Sequence, residues 1–346
     1  MSAAPNEIVT AAIDAVASGR DLSADEASGV LAEIMSDAVS DVQIAGFLIA
    51  LRTKGETAEE LAGLARTMRA LAIAVDVGER KLLDTAGTGG GTRTFNVSTT
   101  AALIAAGAGC AVAKHGNRSA TGPCGSADLL EALGARIDLD AASVVRCIEE
   151  TGVGFMFAPA HHHATRSVAP VRRALAVRTI FNFLGPLTNP AGARHQLIGV
   201  SDQRYLETIA GALAQLGVER ALVVAGEDSL DEVSTTAPTR IFEVNGDEIT
   251  NYTIEPGDLG LEASNGGAVA VGGTPEENAA LTRAVLAGEG GPARDLALAN
   301  AGAAIYAAKA AANLPEAVAL AAEAVDSGRA SETLERFVAA TNELAA

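Results

Sequence analysis

Between an apolar run that ends at Asp84 and a helix-forming stretch that begins at Thr99 lies Gly87-Thr88-Gly89-Gly90-Gly91-Thr92-Arg93-Thr94-Phe95-Asn96-Val97-Ser98. Lys81-Leu82-Leu83-Asp84 reads as a strand, and Thr99 to Ala106 reads as the start of a helix. Strand, glycine turn and helix N-terminus in that order commit this part of the chain to a βα unit. They also make an anion cradle. Glycines let backbone N–H groups approach a phosphate closely, and the unpaired N–H groups of a first helical turn point the same way. Asn96, Ser98 and Thr99 add side-chain donors or oxygens able to face a metal. The turn is therefore a candidate phosphate or diphosphate site, with a plain βα turn as the alternative. The sequence has no G-x-x-x-x-G-K-[ST], which argues against a P-loop, and the glycine spacing misses the dinucleotide fingerprint G-x-G-x-x-G.

Charge distribution supports a polyanionic ligand without reference to motif spelling. The chain carries 43 Asp and Glu against 25 Lys and Arg, for a net charge of −18. Yet neither Thr85 to Ala127 nor Thr151 to Ser201 contains an acid. The first window holds Arg93, Lys114, His115 and Arg118. The second holds Arg166, Arg172, Arg173, Arg178 and Arg194, with His161, His162, His163 and His195. All 5 histidines lie in these windows. Buried apolar structure also excludes acids, but it does not gather cations. An acidic protein with a positive pocket suits a small polyanion and is poorly suited to nucleic acid or an anionic membrane.

The 346 residues suffice for one large or two ordinary domains, and 49% apolar content supplies a core. No charged, apolar, small-residue leader is visible at the N-terminus. Ala101 to Ala113, the most apolar segment, is too short for a bilayer and carries Gly107 and Gly109. Cys110, Cys124 and Cys147 have no C-x-x-C spacing and are odd in number, which favours reduced thiols and a cytoplasmic location over disulfides or a zinc site.

Residues 1–73 read as helices. Ser23-Ala24-Asp25-Glu26, Ser40-Asp41-Val42-Gln43 and Thr57-Ala58-Glu59-Glu60 are capping-box patterns, and Val30, Leu31, Ile34 and Met35 recur at helical spacing. From Lys81 short β runs alternate with helices. Expected strands are Lys81–Asp84, Ala111–Lys114, Ala135–Asp138, Val153–Phe157, Gln196–Val200 and Ala221–Ala225. A hairpin of Ile241–Val244 and Glu248–Tyr252 follows, about Asn245-Gly246-Asp247. Such alternation predicts an α/β fold with a central, largely parallel sheet and surrounding helices, beside a small all-helical domain. The Arg-rich, helix-like segment Ala164 to Leu187 is expected to fold back on the N-terminal helices. The expected division is residues 1–73 with 164–190 as the small domain, for dimerisation and a cleft wall, and 74–163 with 191–346 as the large one. Asn278–Ala287, Leu296–Ala312 and Pro315–Ser327 read as C-terminal helices.

Lys114-His115-Gly116-Asn117-Arg118 closes an expected strand. Gly125-Ser126-Ala127-Asp128 follows, then Phe157-Ala158-Pro159, Val171-Arg172-Arg173, the block from Arg178-Thr179-Ile180-Phe181-Asn182 to Leu184-Gly185-Pro186-Leu187-Thr188-Asn189-Pro190, and Leu230-Asp231-Glu232-Val233-Ser234. Together, in this order, they closely resemble the anthranilate phosphoribosyltransferases, and the resemblance runs from the helical N-terminus to Asn300. It implies transfer of phosphoribosyl from phosphoribosyl pyrophosphate to the anthranilate amine, with Mg2+ and release of pyrophosphate, as a step of tryptophan biosynthesis. It also implies a homodimer formed through the small domains, with the substrates meeting at the hinge.

By the same resemblance, phosphoribosyl pyrophosphate would meet Gly87, Gly90, Gly91, Thr94, Asn96, Val97, Ser98, Thr99, Lys114, His115, Gly116, Asn117, Arg118, Ser119, Ala120, Thr121, Gly122 and Ser126. Anthranilate would meet Gly87, Asn117, His162, Arg172 and Pro186, with the planar fork of Arg172 on its carboxylate. Ser98, Asp231 and Glu232 would face Mg2+; adjacent acids after a strand suit a hard cation. Arg173 and Arg178 read as structural or general electrostatic residues. Displacing pyrophosphate needs position and charge neutralisation rather than a covalent nucleophile. His115 is the candidate general base, although a nearly neutral aryl amine can lose its proton late.

The chain departs from the family in three places. The family loop G-T-G-G-D-G-x-x-T-F-N is one residue shorter here and lacks its Asp, which puts metal organisation in question. Thr121-Gly122-Pro123-Cys124 replaces a Ser-rich loop, and Ala176 stands where Gly is usual. A pyrimidine nucleoside phosphorylase shares the architecture but should lack the 178–190 block and the Asn117–Arg172 pair. A non-catalytic nucleic-acid-binding relative would need a basic surface, against the net charge of −18.

Overall fold

Ser23, Ser40 and Thr57 each hold an extended backbone and accept a hydrogen bond from the N–H three residues on. They open α2 (Ala24–Met35), α3 (Asp41–Lys54) and α4 (Ala58–Ala70), behind α1 (Glu7–Ala17), which Asn6 caps. Glu26 and Glu60 return the bond to the Ser23 and Thr57 N–H groups, at 2.8 Å each. Gln43 is instead drawn to Asn6 and Thr10, so the third box becomes a tie between α3 and α1. Each such cap is worth about 1 kcal/mol.

The computed structural model describes residues 4–119, 122–261 and 270–345. After α4 come β1 (Leu82–Asp84), α5 (Val97–Gly107), β2 (Ala111–Gly116), α6 (Ser126–Ala132), α7 (Ala141–Thr151) and β3 (Val153–Phe157). Three short helices, α8 (Ala158–His161), α9 (Ala169–Leu175) and α10 (Phe181–Leu187), lead to β4 (His195–Gly199), α11 (Leu206–Gln215) and β5 (Arg220–Gly226). The hairpin β6 (Thr239–Asn245) and β7 (Glu248–Ile254) precedes α12 (Pro275–Leu286), α13 (Pro292–Ala307), α14 (Leu314–Asp326) and α15 (Arg329–Leu344).

Among the described residues one seven-stranded sheet forms, in the order β3-β2-β1-β4-β5-β6-β7. The first five are parallel and β6 and β7 are antiparallel. Parallel strands need both faces covered, and side chains alternate between two apolar layers to supply that cover. Leu197, Leu222 and Val224 join α5, α13, α14 and α15. Ile198, Val223 and Ala225 join α1 to α4, α10 and α11. Val168, Val171, Ile180 and Leu184 enter the second layer too, and α9 lies on α3 while α10 lies on α4.

Ala135–Asp138 is not a strand. Its alternation is real: Ala135, Ile137 and Leu139 are buried while Arg136 and Asp138 are exposed. No sheet neighbour is present among the described residues, however, and the Arg136 N–H donates to the Thr341 hydroxyl of α15 at 3.1 Å. A period of two reports an extended, half-buried backbone and does not by itself require a ladder. Helix α13 also ends before the expected Ala312, near Lys309 at φ +58°. Helix α15 carried no sequence expectation.

Candidate active site

In the strand order, the chain passes from β1 outward to β3 and then resumes on the other side at β4. Open α/β sheets bind ligands at such a reversal, beyond the carboxyl ends of the strands. The glycine turn leaves the end of β1 at this point, and the Thr88 N–H donates to the Gly199 carbonyl at the end of β4, at 2.8 Å. Three glycines are fixed by neighbours. A Cβ at Gly87 would lie 3.0 Å from the Gly199 oxygen, and one at Gly91 would lie 3.0 Å from the Asp231 carboxyl carbon. Gly90 has φ +91° and would meet Arg178. The cavity bounded by Arg194, Glu219, Asn245 and Lys309 lies at the opposite ends of β4 and β5 and takes no part.

Asn96 precedes α5 but does not cap it. Its amide is exchanged with Cys124, donating Nδ2 to the Cys124 carbonyl at 3.2 Å and accepting from Sγ at 3.1 Å. The N-terminus of α5 is left without a side-chain cap, beside Ser98 and Lys114. Lys114 is buried, and its Nζ donates to the Thr85 hydroxyl (3.1 Å) and to Ser98 Oγ (3.4 Å). Burial pushes its pKa down to about 8, against the pull of Asp84. Asp84 is wholly buried and accepts from the Ala86 and His115 N–H groups and from Asn189 Nδ2 at 2.7 Å. It joins the ends of β1 and β2 to the loop after α10.

Asp231 and Glu232 follow β5. Thr94 donates its hydroxyl to Glu232 Oε1 at 3.0 Å, while Oε2 is buried with no partner among the described residues. Burial raises both carboxyls, and Asp231 raises Glu232 further by like-charge repulsion. Asn300 of α13 holds this loop through Val233, accepting at 2.9 Å and donating at 3.0 Å. A carboxylate with one buried, unsatisfied oxygen beside a second carboxylate fits a divalent cation. No cluster of three or more His, Cys, Asp or Glu ligands occurs among the described residues. Two acids suit Mg2+, which keeps water and substrate phosphate as its other ligands.

The His115 and His162 rings meet at a tilt of 55°, with centroids 5.0 Å apart. His115 Nδ1 lies 3.2 Å from the Gly185 carbonyl, which assigns the proton to Nδ1 and leaves Nε2 as an acceptor. That Nε2 and the Nε2 of His162 are buried without partners among the described residues. Burial lowers His115 to about 3 and His162 to about 4, so both rings are neutral at physiological pH. Pro186 follows Gly185 and is buried, and its carbonyl accepts from Gln196. Arg172 is exposed on α9, with its guanidinium 5.3 Å from the Phe181 ring centroid and no carboxylate partner among the described residues.

Arg118 behaves differently from its neighbours. Its guanidinium is paired with Asp128 and Glu131 on α6, at 2.8 Å each, which neutralises its charge. Asn117 is exposed, Ser119 and Gly125 donate to Asp128, and Ser126 Oγ donates to the Asn117 carbonyl. Gly116 admits no side chain, because a Cβ would meet the Phe155 ring at 2.6 Å. Gly122 donates to Ser119 Oγ; Ala120 and Thr121 lie outside the described residues. The bonds from Asn189 to Asp84 and from Thr94 to Glu232 carried no sequence signal, since each depends on contacts between distant segments.

Residues 10–72 match the family described as "Glycosyl transferase family, helical bundle domain", and residues 79–331 match "Glycosyl transferase family, a/b domain". Anthranilate phosphoribosyltransferase of Symbiobacterium thermophilum is 50% identical over 332 residues, covering 96% of this chain and 97% of that protein. The chain belongs to the anthranilate phosphoribosyltransferase family. The Moorella thermoacetica member is likewise 50% identical, over 96% of this chain and 98% of its own length. The crystal structure of the anthranilate phosphoribosyltransferase from Thermus thermophilus superposes with a TM-score of 0.90 at 46% identity, covering 96% of this chain and 99% of that one. The Saccharomyces cerevisiae anthranilate phosphoribosyltransferase in complex with PRPP and Mg gives 0.88 at 28% identity, over 97% and 98%.

Proposed function

We propose that this chain transfers the 5-phosphoribosyl group of phosphoribosyl pyrophosphate to the anthranilate amine and releases pyrophosphate, in tryptophan biosynthesis. The observation that carries the reading is the acid pair Asp231 and Glu232, with one Glu232 oxygen buried and unpartnered among the described residues, facing a glycine turn and an uncapped helix N-terminus at the sheet's reversal point. The amine nitrogen forms the new bond to ribose C1 as the C1–O bond breaks, and the diphosphate leaves with that electron pair. Positive charge grows on the ring and negative charge on the leaving group, so the enzyme's task is placement and charge stabilisation.

The turn from Gly87 to Gly91, Thr94, Asn96 and the first residues of α5, Val97 to Thr99, cradle the diphosphate and ribose phosphate. Lys114 adds a cation from beneath, and residues 116–119 and 122–126 close the side with backbone donors and Ser126. Arg172 receives the anthranilate carboxylate, while Asn117, His162, Pro186 and Gly87 frame its ring. His115 Nε2 accepts a hydrogen bond from the amine. A ring lowered to about 3 is a weak base, so this contact aims the amine, and the proton is lost after C–N bond formation. Mg2+ would be held by Asp231, Glu232 and Ser98, and supplies neutralisation of diphosphate charge when bound.

We further infer a homodimer through the first helices, supported by exposed Ile8, Val42 and Ile49 on α1 and α3. The small domain is residues 1–73 with 164–190, and residues 74–163 with 191–346 form the large one. A cytoplasmic location accords with three free cysteines and with the absence, among the described residues, of a helix long and apolar enough to cross a membrane. The test is anthranilate fluorescence. Depletion is expected only with phosphoribosyl pyrophosphate and Mg2+ together; an unchanged signal with both present would overturn the reading.

A further inference from the structure

We propose that Arg178 is a leaving-group residue, aiming its guanidinium at the diphosphate held over the glycine turn. The inference rests on the phosphoribosyl-transfer reading and adds a residue to it. Arg178 precedes α10, yet its Nη2 donates to the Gly89 carbonyl at 3.0 Å, across 89 residues of sequence. It occupies the space beside Gly90 that a side chain would need, since a Cβ there would stand 3.1 Å from the Arg178 Cζ. Ser201 Oγ donates to the same Gly89 carbonyl at 2.9 Å, so the turn is held from two sides.

The bond to Gly89 uses one of five guanidinium N–H donors. The ring of Phe183, 5.8 Å from Cζ, lies against the guanidinium. Among the described residues no carboxylate lies within ion-pair distance, although Asp231 and Asp202 both feel the charge. The turn itself, from Thr85 to Thr99, contains no acid that could neutralise it. A cation anchored by one carbonyl, steadied by one ring and carrying spare forked donors beside an anion cradle matches the geometry of a phosphate group. The anchor also orders Gly89 and Gly90, whose positive φ values of 63° and 91° set the path of the turn.

The test uses the full chain with Arg178→Gln and Arg178→Lys, measuring initial rates, product inhibition by pyrophosphate and competition by ribose 5-phosphate. Charge-assisted bonds of this kind predict a loss of roughly 10–100-fold in kcat/KM for phosphoribosyl pyrophosphate in the Gln variant. The inhibition constant of pyrophosphate should rise at least about tenfold on the same grounds. KM for anthranilate and the ribose 5-phosphate constant should stay within about twofold, because neither ligand carries the diphosphate. The Lys variant should fall between, keeping charge without the fork, and it decides the matter alone if the Gln variant does not fold. Unchanged pyrophosphate inhibition, or equal weakening of pyrophosphate and ribose 5-phosphate, overturns the proposal. An inactive parent chain would instead overturn the underlying reading.

Discussion

Replacing Glu232 by Gln should stabilise the ligand-free protein while removing its response to Mg2+. Glu232 keeps one hydrogen bond, from Thr94 at 3.0 Å, and buries its second oxygen unsatisfied beside Asp231. The amide is nearly isosteric, retains the Thr94 bond and removes the charge. Burial and the Asp231 charge both disfavour the ionised carboxyl, so removing that charge in Glu232→Gln should gain on the order of 1 kcal/mol or more near neutral pH. The sign follows from linkage. Burial raises the folded carboxyl above its unfolded value of about 4.3. The stability contributed by its proton is therefore complete below about pH 4.3 and lost as pH rises through the folded value. Parent and variant should melt alike near pH 4 and separate toward pH 8. Urea unfolding across that range, with and without Mg2+ and phosphoribosyl pyrophosphate, measures the gap and the ligand-induced shift. A variant less stable than the parent at pH 8, or one that keeps the full Mg2+ shift, would refute the reasoning.

Ala176 ends α9 at φ +52° and is exposed, so Ala176→Gly should stabilise by about 1 kcal/mol, read as a higher urea midpoint; a lower midpoint would contradict it. His115 and His162 are held neutral, with folded values of about 3 and 4 against about 6.5 unfolded. Below pH 6.5 the unfolded chain takes up their protons first, so stability should fall by up to about 1.4 kcal/mol per pH unit for each ring. His115→Gln should flatten that slope between pH 6.5 and 4.5, and an identical slope would count against it. Inserting Asp after Gly90 should lower the Mg2+ concentration at half-maximal rate in a kinetic titration. Superimposable titrations would show that the shortened turn costs nothing in metal organisation.

Features set by neighbours in sequence were legible without coordinates. The caps at Ser23, Ser40 and Thr57, the βα turn at Gly87 and the hairpin about Gly246 each need only a few adjacent residues. What escaped was the pairing of distant segments. Arg118 lay in an acid-free window, but Asp128 and Glu131 stand just beyond its end and claim the guanidinium. Asp84 looked like a strand terminus, yet Asn189 and the His115 N–H converge on it from two other elements. Arg178 read as a general electrostatic residue because its contact with Gly89 exists only once α10 and β1 share a sheet end. The misread strand at Ala135–Asp138 has the same origin: burial alternates locally, but a ladder requires a partner.

Ile198 and Val223, from adjacent central strands, look across α11 into the same oily interior as Leu61, Leu64 and Phe47 of the leading helices. Cutting the chain at residue 73 would therefore strip the cover from α10 and α11, on which α4 packs, as well as discard a bundle. Calorimetry of the intact protein should find bundle and sheet coming apart in a single endotherm.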